Sequence, residues 1–345
     1  MEQEQILDRL HQLLKSYLAG QTQGRFVDYK DPAELSEILN LDAGQHGADW
    51  ELIFDWIEKY LAFSVKTGHP GFLNRMWAGA NLPSILGEIV TAVSNTSACT
   101  YESAPVSTVM EQYMLDQMLD LAGFTNGEAQ MTTGSSNANL LAMMAARNSC
   151  QPGVKTAGLF SGQPMTAFVS ADAHYSMEKA TNVLGRVCSS GDDSYIFHTT
   201  DDNRVRDLGA VSLQCGRRVD CLKWFLDWKF FGKTGFARMV EHGLDLCRYA
   251  EQRIRQSDHL EMVYPRNAFN VCFRYKPTRA NAGPFNLALR NTLYHQGKSL
   301  VGYAQNKDGP FLRLLLASHD LDEKDVDLYF SQLIETGKDL ERKYP

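Results

Sequence analysis

The segment Thr132-Thr133-Gly134-Ser135-Ser136-Asn137, which runs directly into the apolar stretch from Leu140 to Ala146, constrains this chain more than any other. Gly134 allows a tight backbone turn. Ser135 or Ser136 can then cap a helix that continues to Arg147, gathering hydroxyls and unpaired amides where an anion can be held. A serine ahead of an apolar helix is by default only an N-cap, so the segment takes its meaning from a second one downstream. The short apolar run 167–170 reads as a buried strand that delivers Ser170-Ala-Asp-Ala-His174-Tyr175-Ser176 to its carboxyl end, where open α/β sheets bind ligands. A lone histidine there is by default a satisfied polar residue. Turn and histidine together imply a phosphorylated ligand held by an α/β domain.

Composition narrows the classes. With 345 residues, 44% hydrophobic and 22% charged, the chain has enough apolar material for two or three domains. A net charge of -7 provides no basic field, which argues against nucleic acid or an anionic membrane as partner; an acidic ligand must be met by local arginines. The start, Met1-Glu-Gln-Glu-Gln5, is charged and leads into an amphipathic segment, so we expect no secretory signal, no membrane span and a cytoplasmic address. Seven scattered cysteines without a CxxC pair fit free thiols, with no metal site.

Ile6, Leu7, Leu10, Leu13, Leu14, Tyr17 and Leu18 recur at helical spacing and predict a helix over 3–18. Further helices are predicted over 49–66, 83–95 and 106–122, the last ended by Gly123, with a loop at Gly68-His-Pro-Gly71. Beyond His174 the pattern gives helices over 177–184, 222–231 and 236–256, the last two separated by Gly232-Lys-Thr-Gly235. Strands over 268–275 and 311–316 alternate with helices over 284–297 and 322–340 as a small α+β domain. Arg313 interrupts an otherwise apolar strand, and such a side chain is rarely buried without an anion or an ion-pair partner.

Several segments resemble the pyridoxal-phosphate decarboxylases of the glutamate and cysteine-sulfinate group: 64–70 (SVKTGHP), 72–79 (FLNRMWAG), 95–105 (NTSACTYESAP), the turn at 132–137, Asp172-Ala-His-Tyr-Ser176 and 212–220. The resemblance implies an aspartate-aminotransferase-like α/β fold (fold type I), with a large, mainly parallel sheet domain and a small C-terminal α+β domain. It divides the chain into an N-terminal segment 1–103, a cofactor-binding domain 104–232 and a C-terminal domain 233–345. It implies pyridoxal 5′-phosphate held at Ser135 and Ser136, with His174 stacked on its ring. It makes Tyr195 the general acid that protonates the substrate Cα, and gives Arg313 the substrate α-carboxylate, with Asn74 and Arg75 in the substrate site. A homodimer with N-terminal helices wrapped over its partner is also implied.

Two departures stand out. Relatives carry several further strand–helix units after the His174 helix, including a His-Lys dipeptide whose lysine carries the cofactor and an aspartate that pairs with the pyridine nitrogen. Here Gly185 is followed by Arg186-Val-Cys, text that resembles a much later part of the family. No His-Lys dipeptide occurs, and no lysine lies between Lys179 and Lys223. At about thirty residues per unit, three or four missing units amount to roughly a hundred residues. A parallel sheet stripped of these strands exposes a large apolar face. Where glutamate decarboxylases carry an amide, this chain has Arg75, able to clamp a second carboxylate or a sulfinate, and Trp77 narrows the pocket toward aspartate or cysteine sulfinate. The activity implied is decarboxylation of an acidic amino acid (glutamate, aspartate or cysteine sulfinate). Transamination, or a lysine-less paralogue with a structural or regulatory role, is the alternative. We read the missing run as a segment skipped by the numbering, with Gly185 and Arg186 not peptide-bonded; an intact mass of 38.8 kDa contradicts that reading.

Overall fold

Val271, Phe273 and Tyr275 alternate with less apolar neighbours at the period of a strand, and Leu312 and Leu314 do the same. The computed structural model, which describes residues 1–41, 48–74, 79–154, 158, 165–170, 173–184, 218, 220–278 and 280–343, pairs them face to face: Val271 opposite Leu314 and Phe273 opposite Leu312. They belong to a five-stranded sheet of β1 (Phe72–Leu73), β2 (Leu260–Met262), β3 (Asn270–Tyr275), β4 (Leu300–Asn306) and β5 (Gly309–Leu315), in the order β1-β4-β5-β3-β2. Neighbours are antiparallel except β1 and β4, which run parallel with Phe72 opposite Leu300 and Leu73 opposite Val301.

Ten helices are described. They are α1 (Gln3–Ala19), α2 (Pro32–Leu39), α3 (Trp50–Phe63), α4 (Leu82–Ser94), α5 (Pro105–Ala122), α6 (Ser135–Cys150), α7 (Ser176–Leu184), α8 (Cys221–Arg255), α9 (Ala282–His295) and α10 (Glu323–Lys343). Their bounds follow local chemistry. The Asp31 side chain caps α2, Asp49 caps α3 and Asn281 caps α9, each accepting a first-turn amide, while Gly123 ends α5 with φ 77°. At Gly232, with φ 63° and ψ 175°, helical geometry breaks inside α8.

Residues 1–80 and 233–345 make one compact unit and 81–232 the other, so the expected N-terminal segment 1–103 is divided. In the first unit, Leu246, Ala250 and Ile254 of α8, Leu289 and Leu293 of α9, and Phe330 and Leu333 of α10 close over the apolar stripe of β3 and β5. The N-terminal helices add a smaller contact. Arg9 of α1 bonds Glu51 of α3 at 2.6 Å and lies 4.3 Å from the Phe54 ring centroid.

The second unit differs from expectation at its centre. Among its described residues no parallel sheet forms, and 167–170, predicted as a buried strand, is assigned to no strand; Phe168 is 96% exposed. On α4, Leu82, Leu86, Ile89, Val90 and Val93 form an exposed apolar stripe at helical spacing. The skipped-numbering reading falls on Gly185 and Arg186, outside the described residues; the 345-residue sequence itself runs on from one to the other.

This uneven packing predicts an uneven response to truncation. Leu312→Ala, at a position with no exposure, should cost about 2–5 kcal/mol in chemical unfolding. Phe168→Ala should change stability by no more than about 0.5 kcal/mol.

Candidate functional site

The turn before α6 is built around Gly134. It takes φ 108° and ψ 162° as the N-cap residue, a conformation that only glycine adopts without strain, and no side chain caps the helix. The expectation that Ser135 or Ser136 is the cap is therefore corrected. Both lie in the first turn, inside the helix, with exposed side chains. The Gly134 carbonyl accepts from Asn137 N–H at 3.0 Å and Ala138 N–H at 3.1 Å. The Ser135 and Ser136 amides are left to face outward at the positive end of the helix, and open space stands where a Cβ on Gly134 would be.

His174 stands just ahead of α7. Its Nδ1 accepts from Ser176 N–H at 3.2 Å and lies 2.9 Å from Ser176 Oγ, which in turn accepts from Asn139 Nδ2 at 2.8 Å. Since Asn139 donates to that oxygen, the Ser176 hydroxyl proton is free to point at Nδ1, leaving the other ring nitrogen to carry the hydrogen. Eight residues further along both helices, Arg147 of α6 donates to the Leu184 carbonyl at the end of α7, at 3.1 Å. Equal spacing between the two links means that α6 and α7 run parallel, in step. Ser135 and Ser136 begin α6 about 6 Å, or four residues of rise, ahead of the Asn139 link, so both serines lie at the same end as His174. Sequence reasoning missed Asn139 and Ser176; a polar residue near the start of each helix was the available signal.

Arg313 and Asn74 meet in the other unit. Arg313, in β5, is opposite Cys272 on one side and Gly302 on the other. Its Nε is buried with no hydrogen-bond partner. Burial pushes the Cys272 thiol up while the nearby Arg313 charge pulls it down, and the net result is a neutral thiol that offers the guanidinium no anion. Asn74 follows β1 directly, and a Cβ on Gly302 would come within 3.0 Å of its Oδ1, so the missing side chain makes its place. A lone glycine inside a strand pattern could have flagged Gly302. Arg75, Trp77 and Tyr195 lie outside the described residues.

The turn and His174 fit the phosphate end and ring face of a pyridoxal phosphate. The covalent anchor is another matter, because a lysine that takes up an aldehyde must offer a neutral amine. Among the described lysines of the second unit, Lys223 pairs with Glu88 at 2.8 Å and Asp220 at 2.9 Å. Burial lowers its proton affinity, but those two carboxylates outweigh burial and hold the ammonium above its ordinary range. Lys179 lies 4.5 Å from the Tyr175 ring centroid, and Lys229 lies 5.4 Å from that of Phe225, both as charge-on-ring contacts. Lys223 is thus held as an ammonium rather than offered as an amine.

Comparison with known proteins agrees with this division. The model of the pyridoxal-dependent decarboxylase conserved domain matches residues 32–190 and 186–276, in two blocks that meet where the text jumps. Human cysteine sulfinic acid decarboxylase is 23% identical over 452 residues, covering 92% of each chain. The acidic amino acid decarboxylase GADL1 of Xenopus tropicalis is 22% identical, covering 98% of this chain and 93% of its own. The crystal structure of mouse CSAD superposes with a TM-score of 0.88 at 23% identity, over 97% of this chain and 98% of its own, and the shared fold is that of the fold type I enzymes. An alignment of 452 residues cannot be filled by a chain of 345, so these relatives carry on the order of a hundred residues that this one lacks, three or four strand–helix units.

If the phosphate turn alone retains the cofactor, pyridoxal 5′-phosphate added to the chain should be released by dialysis against inorganic phosphate, and Gly134→Ala should weaken its binding by about tenfold, roughly 1.4 kcal/mol of strain. A phosphate-resistant adduct on one lysine, found by mass spectrometry, contradicts this.

Proposed function

Because the chain belongs to the pyridoxal-dependent decarboxylase family, we propose that it removes the α-carboxyl group of an acidic L-amino acid, glutamate, aspartate or cysteine sulfinate, as carbon dioxide, leaving the amine. The observation that carries the reading is Arg313, whose buried Nε, without a hydrogen-bond partner beside a neutral thiol and the Asn74 amide, suits the α-carboxylate that any amino acid offers. The names of the relatives, a cysteine sulfinic acid decarboxylase and an acidic amino acid decarboxylase, support the acidic class.

Each residue then has a task. The Ser135 and Ser136 amides and hydroxyls hold the phosphate at the start of α6, and His174, fixed by Ser176, faces the ring. When bound, the cofactor supplies an electron sink for the pair left behind as carbon dioxide departs. Arg313 would orient the α-carboxylate that is lost. Asn74 and Arg75 receive the side-chain acid group, Trp77 limits its length, and Tyr195 delivers the proton to Cα. A homodimer in the cytoplasm belongs to the same proposal. The exposed α4 stripe supports assembly, and the thiols of Cys150, Cys247 and Cys272 support a reducing compartment.

A second reading, a relative that binds the same ligands without turning them over, is favoured by Lys223, whose pairing with Glu88 and Asp220 holds it as an ammonium. Products separate the cases. Carbon dioxide without keto acid from chain, cofactor and cysteine sulfinate supports decarboxylation; keto acid means transamination, and ligand binding with neither product means a silent binder. Arg75→Ala should lower kcat/KM for acidic amino acids by about a hundredfold, since unpairing a desolvated charge costs roughly 3–5 kcal/mol. Turnover of an uncharged amino acid should change little, whereas equal losses on both would remove Arg75 from substrate selection.

A further inference from the structure

The segment leading to Asn74 is tied down by one histidine, and the hydrogen-bond partners dictate its protonation. His69 Nδ1 accepts from Gly71 N–H at 2.9 Å, and Nε2 lies 3.0 Å from the Gly24 carbonyl oxygen. A backbone amide can only donate and a carbonyl can only accept, so Nδ1 must be bare and Nε2 must carry the hydrogen. A second proton would set N–H against N–H at Gly71. The imidazole thus bridges the 20–27 segment to the residue before β1, and only while neutral.

The bridge leads straight to the substrate residues. A Cβ on Gly71 would fall 2.2 Å from the Lys298 carbonyl, so the loop lies flat against the start of β4, and the Gly71 carbonyl accepts from Leu300 N–H at 2.7 Å. That bond opens the β1–β4 register, which ends with Leu73 opposite Val301 and places Asn74 against Gly302 beside Arg313. The Gly79 amide closes the same loop onto the Thr67 carbonyl at 2.8 Å.

We propose that His69 is a positioning residue for substrate recognition, its neutral imidazole fixing Asn74 at the sheet edge and releasing it in acid. The proposal rests on the reading of Asn74 as a substrate ligand. The charged surroundings agree. Burial lowers the His69 pKa most, the Gly24 bond raises it, Lys66 on the loop lowers it and Asp325 at the start of α10 raises it, with a net decrease from 6.5. Arg25, next to Gly24, packs against Gly297, and Lys298 faces the loop with its carbonyl. A folded pKa below the unfolded one makes the clamp's contribution complete above pH 6.5 and loses it as pH falls through the lower folded value.

Amide hydrogen exchange reads the clamp without turnover. At pH 7.5, His69→Ala should lower protection at Gly71 and Leu300 by about fivefold to tenfold, the worth of one ordinary hydrogen bond. His69→Asn keeps an acceptor near the Nδ1 position that does not titrate, and should retain protection. At pH 5 the wild type should lose protection and His69→Asn should not. Calorimetric affinity for cysteine sulfinate on the cofactor-loaded chain should follow the same order. Unchanged protection in His69→Ala at pH 7.5, or equal loss of affinity in His69→Asn and His69→Ala, overturns the proposal. A wild-type chain that binds no acidic amino acid at pH 7.5 instead overturns the substrate reading, and the exchange result then judges the clamp by itself.

Discussion

A guanidinium set into an apolar strand is the constraint from which the substrate half of this molecule follows. Arg313 lies between two positions of an antiparallel ladder, Cys272 and Gly302, and neither offers a negative charge. Desolvating such a group without an anion is costly, and a fold retains the cost where a ligand offsets it. The neighbouring features follow this need. Gly302 leaves out a side chain, β1 adds in parallel at the sheet edge, and Asn74 comes off its end into the space so made.

The cofactor half depends on a different physical device, the unpaired amides of a helix start. Gly134 makes that start open by taking the cap position itself, and the parallel packing of α6 on α7 brings His174 to the same end. Among the described residues, the run 167–170 belongs to no strand, α4 shows an exposed apolar stripe, and Lys223 is held as an ammonium by Glu88 and Asp220.

Much of this is legible in the residues. The strands over 268–275 and 311–316 are readable because each buries one periodic face, and the helices over 3–18 and 106–122 are readable from period alone, although the first buries none of its residues. The cap of α6 misleads because serine is the commoner capping residue, whereas the backbone here needs φ 108°, which no serine supplies without strain. The strand at 167–170 misleads because apolar sequence alone implies burial, and among the described residues Phe168 and Val169 are exposed. His69 gives no such signal, because its role arises from contacts with residues far away in the chain and from a tautomer, neither of which leaves a local pattern.

The central claim is that Arg313 waits for a carboxylate, and the affinity of the cofactor-loaded chain for cysteine sulfinate in wild type and in a folded Arg313→Ala variant tests it most directly. The account predicts a Kd raised by about a hundredfold or more, as expected for roughly 3–5 kcal/mol lost when a desolvated ion pair forfeits one partner. An unchanged Kd would contradict it and would make Arg313 a structural residue of the strand.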